Sequence, residues 1–72
     1  SEDWDMATDA EDNLYVATDA GWVYVYNKRG KFIRKIQAFA HPKDAMRIAV
    51  SPGMDILYVT AEDTIHRVEL GQ

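Results

Sequence analysis

The stretch Leu14-Tyr15-Val16-Ala17-Thr18 comes back as Leu57-Tyr58-Val59-Thr60-Ala61, forty-three residues later with its last two residues exchanged. Each copy follows a short apolar run and a polar turn, and each leads into another β-prone run. A fixed internal period constrains a chain more than any single residue does, because it sets the size of the unit that folds and the number of units. Here it allows two units of roughly 40–45 residues, the second shorter than the first.

The first unit reads as four strands. Trp4 to Thr8 places Trp4, Met6 and Thr8 on one face. Asp9-Ala10-Glu11-Asp12-Asn13 has turn chemistry and no apolar bulk. Leu14 to Thr18 is the second strand. Gly21 closes a tight connection, and Trp22-Val23-Tyr24-Val25-Tyr26 is the third and most strongly β-prone run. Asn27-Lys28-Arg29-Gly30 turns into Lys31 to Ile36, whose basic residues suit an exposed edge. Turns this short impose an antiparallel meander, since a parallel crossover needs a dozen or more residues. Gln37 to Met46, broken by Pro42, connects the units. In the second unit Arg47-Ile48-Ala49-Val50, Ile56 to Thr60 and Thr64 to Val68 are strands, separated by Ser51-Pro52-Gly53-Met54-Asp55 and Glu62-Asp63. That makes seven strands, with the last strand of unit two missing.

Composition excludes several classes. At 47% hydrophobic and 28% charged, the chain is globular in type. It has no cysteine, hence no disulfide framework and no thiolate metal site. No apolar run approaches the ~20 residues of a membrane span, so no membrane partner is expected. A net charge of −4 argues against broad phosphate-backbone binding, and nucleic acid is an unlikely partner on that ground. No targeting signal is visible, and localisation is left open.

Four strands per unit at this period is the pattern of a β-propeller blade. The residues Ala7-Thr8-Asp9-Ala10-Glu11-Asp12-Asn13-Leu14-Tyr15-Val16-Ala17, followed by Val23-Tyr24-Val25-Tyr26 and Gly30-Lys31-Phe32-Ile33-Arg34-Lys35-Ile36, resemble an NHL repeat. Ile48-Ala49-Val50-Ser51-Pro52-Gly53 with Leu57-Tyr58-Val59-Thr60 is similar to the related YVTN repeat. Asp5, Arg47 and Asp12 stand where these patterns usually have glycine. The resemblance implies an all-β chain of four-stranded antiparallel blades, about 1.75 of them. Residues 1–40 would form the first blade with its connection and 41–72 the second, incomplete one.

Catalytic and ligand-binding motifs are weak. His41 and His66 lie in different contexts without metal-ligand spacing. Asp9, Glu11, Asp12 and Asp19 make an acidic first unit, and related propeller enzymes hold calcium or another divalent ion; turn chemistry explains the same residues more simply. Ser51 lacks a nucleophile elbow. Lys28, Arg29, Lys31, Arg34 and Lys35 surround Phe32, which invites an RNA reading, but alternation along an edge favours a solvated strand. No catalytic, cofactor-binding or metal residue is therefore assigned.

Length supplies the stronger argument. A blade has two faces, and repeat arrays draw stability from contacts between units, so two units leave outer faces open. Trp22 to Tyr26 is apolar on both sides, as in a strand buried on both faces. The expectation is a non-enzymatic module, a natural or engineered fragment, that assembles with copies of itself into a closed ring. Three copies would give about six blades. Trp4, Trp22, Tyr24, Tyr26, Tyr15 and Tyr58 are the expected assembly residues, and Ser1 to Asp5 of another copy could supply the missing strand. The alternatives are a fragment of a metal-dependent propeller hydrolase or lyase, and a protein- or RNA-binding NHL module.

Overall fold

A computed structural model describes residues 5–18, 20–39, 47–61 and 64–71. The described residues are all-β, with two antiparallel sheets and no helix. Strands β1 (Asp5–Thr8), β2 (Leu14–Ala17), β3 (Trp22–Tyr26) and β4 (Phe32–Gln37) form a meander in the order β1-β2-β3-β4. Strands β5 (Arg47–Val50), β6 (Ile56–Ala61) and β7 (Thr64–Glu69) form the second sheet in the order β5-β6-β7. The two matching stretches are the second strand of each sheet. Trp4, His41, Pro42 and Asp19 lie outside the described residues.

Register follows from the turns. Thr8 pairs with Leu14, Leu14 with Tyr26, and Tyr26 with Phe32, with a bulge between Val25 and Tyr26. Asn27 closes the β3–β4 turn: its side-chain oxygen accepts the N–H groups of Arg29 and Lys31 at 2.9 and 3.0 Å. Gly30 takes φ +84° there, a left-handed conformation that glycine adopts without a Cβ penalty. Gly21, at φ +91°, turns β2 into β3, and its carbonyl accepts the N–H groups of Ala38 and Phe39. That bond pair folds the segment after β4 back into the core. Of the segment Ser1 to Asp5, expected as a strand for another copy, residues 1–4 lie outside the described residues, and Asp5 pairs with Ala17 of its own chain.

The sheets stack with one face each inward. Tyr15, Ala17, Val23 and Val25 of the first sheet share a buried cluster with Leu57, Val59 and Ala61 of the second, closed by Ala38, Phe39 and Leu70. Side chains alternate across a strand, so the same register turns Met6, Leu14, Trp22, Tyr24 and Tyr26 to the far face of the first sheet. Trp22 to Tyr26 is thus buried on one side only within the chain: Val23 and Val25 are buried, while Trp22, Tyr24 and Tyr26 are half-buried.

Two turn residues without glycine sit at positive φ, Asp12 at +64° and Met54 at +63°. Asp tolerates this region better than Met, because the cost comes from Cβ against the backbone and Asp can offset it by local hydrogen bonding. Met54→Gly is therefore expected to raise stability by about 0.5–1 kcal/mol, read as a higher urea midpoint with an unchanged slope. A lower midpoint would show that Met54 contributes more by packing than it loses by strain.

Candidate functional site

Three places could do chemistry, and their geometry separates them. The first is a cleft of roughly 310 Å³ at one end of the sheet stack, lined among others by Asp9, Tyr15, Arg34, Met54 and Leu70. Asp9 comes from the β1–β2 turn and is buried. Its Oδ1 accepts the N–H groups of Glu11 and Asn13 at 2.9 and 3.0 Å. Its Oδ2 accepts Asn13 Nδ2 at 3.0 Å and the Tyr15 hydroxyl at 3.1 Å. Burial by itself would raise the Asp9 pKa, but these hydrogen bonds, led by those of Asn13, outweigh it and hold the carboxyl below its ordinary value. Burial, and then the Asp9 carboxylate, push the Tyr15 phenol up to about 12.

Asp9 is thus a clamp: it ties the turn and fixes the one polar atom of Tyr15, whose ring lies in the core. Four donors already surround its oxygens. Among the described residues, no three His, Cys, Asp or Glu side chains converge to hold a metal ion. Arg34, across the cleft, donates to the Leu70 carbonyl at 3.3 Å and so ties β4 to the end of the second sheet.

The remaining candidates from the sequence have local partners. The Ser51 hydroxyl donates to Asp55 Oδ1 at 2.9 Å and accepts the Ile56 N–H at 3.1 Å, within the β5–β6 turn. His66, on β7, pairs with Val59 and sets its ring 5.0 Å from that of Phe39. The basic residues of β4 divide between the faces: Lys35 lies 4.6 Å over the Trp22 ring on the far side, while Arg34 points to the cleft. They do not form one basic surface.

The second and third places are the two far faces. On the first sheet, Phe32 packs edge-on against Tyr24 and Tyr26, with centroids 6.3 and 5.7 Å apart. Met6 is 63% exposed and Phe32 50%. A second cleft, roughly 480 Å³, opens at the end of this face between Thr8, Leu14, Tyr26 and the β3–β4 turn. On the second sheet, Tyr58 is 40% exposed and Ile65 75%. Of the aromatic residues expected to mediate assembly, Trp22, Tyr24 and Tyr26 lie on the first of these faces and Tyr58 on the second. Tyr15 does not; at 4% exposure it belongs to the contact within the chain.

At the junction of the sheets, β1 lies beside β5. Asp5 Oδ2 accepts the Ile48 N–H at 2.9 Å, and Asp5 Oδ1 is 3.9 Å from the Arg47 guanidinium. In sequence these two positions are strand residues that stand where the repeat patterns usually have glycine. Their opposite charges were the signal that could have paired them.

The class these observations define is an all-β chain of two stacked antiparallel sheets whose outer faces carry exposed apolar side chains. The chain matches no family of known proteins, no curated protein and no solved structure.

Proposed function

We propose that this chain is a non-enzymatic β-propeller module of about 1.75 blades that assembles with copies of itself into a closed scaffold. Residues 1–40 are the first blade with its connection and 41–72 the second. Three copies give about six blades, within the range that closes a propeller ring. The observation that carries this reading is the apolar surface on both far faces at once. Met6 and Phe32 on one side, and Tyr58 and Ile65 on the other, stay exposed after the chain has folded. Large apolar side chains exposed on both far faces favour burial against a partner, since contiguous apolar surface is characteristic of association sites. The NHL- and YVTN-like stretches support the blade assignment. So does the occurrence of the Leu-Tyr-Val stretch as the second strand of both sheets.

Light scattering at micromolar concentration tests it. The expected mass is a small multiple of the 8.2 kDa chain, decreasing on dilution. A folded species of chain mass at that concentration would remove the reading.

A further inference from the structure

One chain already contains a worked example of how two of these sheets fit. Register aligns them position by position. Asp5 pairs with Ala17 as Arg47 pairs with Thr60, and Leu14 pairs with Tyr26 as Leu57 pairs with Val68. Asp5 therefore corresponds to Arg47, Met6 to Ile48 and Leu14 to Leu57. By the same alignment Tyr15 corresponds to Tyr58 and Val23 to Ile65. Within the chain, the Tyr15–Val23 face of the first sheet packs on the Ile48–Leu57 face of the second. What remains uncovered is the Met6–Leu14 face of the first sheet and the Tyr58–Ile65 face of the second. Each uncovered face is the positional counterpart of the face that the other sheet has already buried.

We infer that a second copy of this chain repeats the internal contact head to tail: the Tyr58–Ile65 face of one copy seats on the Met6–Leu14 face of the next. The inference rests on the self-assembly reading and adds the polarity and the pairing. Ile65, 75% exposed, takes the place that Val23 holds at 0% exposure, and Met6 takes that of Ile48. Tyr58 then comes to the face that carries the cleft between Thr8, Leu14 and Tyr26, as Tyr15 lies in the cluster that holds Leu57 and against which Val50 and Val68 pack. Charge agrees. By the same alignment Arg47 of one copy comes against Asp5 of the next, the opposite pair that joins β1 and β5 inside the chain, and the Arg47 side chain stays 65% exposed beside its own Asp5. Acid and base then alternate around the assembly. A contact between like faces would pair neither the charges nor the matching positions. The contact is heterologous, so it extends until the ring closes.

Two variants test the polarity. Met6→Glu with Tyr24→Glu closes the first face, and Tyr58→Glu with Ile65→Glu closes the second. Each variant alone is expected at chain mass by light scattering. An equimolar mixture is expected at twice that mass, because one open face of each kind remains. A closed variant that still self-associates, or a mixture that stays at chain mass, overturns the head-to-tail arrangement while leaving self-assembly intact. Wild-type protein at chain mass removes both. Circular dichroism confirms β structure in each variant; where a double variant loses it, the single changes Met6→Glu and Ile65→Glu replace it, since both positions are exposed within the chain.

Discussion

Leu57→Ala is expected to lower the unfolding free energy by about 2–5 kcal/mol, the range for a buried leucine truncated to alanine. Leu57 is fully buried in β6 and faces Tyr15, Val23 and Val25 of the opposite sheet through the shared cluster. Truncation removes apolar area and leaves a void that the two sheets cannot easily close. Each is held in register by its own ladder, so collapse of the gap would strain the pairing of β5–β6 and β6–β7. At ordinary per-residue stability a 72-residue chain has roughly 4–11 kcal/mol in total, so one such change removes a large share of it. Urea titration followed by circular dichroism at fixed concentration reads it. Tyr58→Ala, one position along and on the opposite face, serves as the contrast: it is expected to weaken association more than folding. A Leu57→Ala midpoint within error of wild type would mean that the two sheets do not form the core described.

Removing the Asp9 carboxylate is expected to have the next largest effect, about 2–3 kcal/mol for Asp9→Ala, because several donors lose a charged acceptor together. The Tyr15 hydroxyl is the most costly of these, since its ring is buried. Tyr15→Phe in the Asp9→Ala background should therefore restore part of the loss, a coupling that independent sites would not show. The pH dependence has a definite sign. The folded-state pKa of Asp9 is lowered. Its contribution is complete above the unfolded carboxylate value and is lost as pH falls through the folded value. Asp9→Ala should flatten that acid limb. The Tyr15 pKa is raised from 10.0 to about 12. Its contribution is complete below pH 10 and is lost as pH rises toward 12, and Tyr15→Phe should remove this share of the alkaline limb. Acid and alkaline limbs identical to wild type in both variants would show that the Asp9–Tyr15 bond is not a stabilising contact.

Strand positions were legible because they depend on local pattern. Trp22–Tyr26 and Arg47–Val50 are strands over the same residues that their β-prone side chains and flanking turns mark. The ends of β4 and β7 run one residue further, to Gln37 and Glu69, because cross-strand pairing carries them past the last apolar residue. Partners in space were not legible. Asp9 reads as an ordinary turn aspartate, and only the packing of Tyr15 beneath it makes the carboxylate a clamp on the core. Tyr15 and Tyr58 look alike in sequence, yet the first lies between the sheets and the second on an outer face. The difference comes from which neighbour each sheet has, a property that a strand's own residues do not encode. Asp5 and Arg47 are far apart in sequence and meet only because β1 runs beside β5.

The central claim is that the two open faces are covered by copies of the same chain, and native mass spectrometry of the wild-type protein tests it most directly. One dominant closed species of three chains is expected, at three times the 8.2 kDa chain mass, without a ladder of larger assemblies. A folded protein that remains at the mass of one chain at micromolar concentration would contradict it.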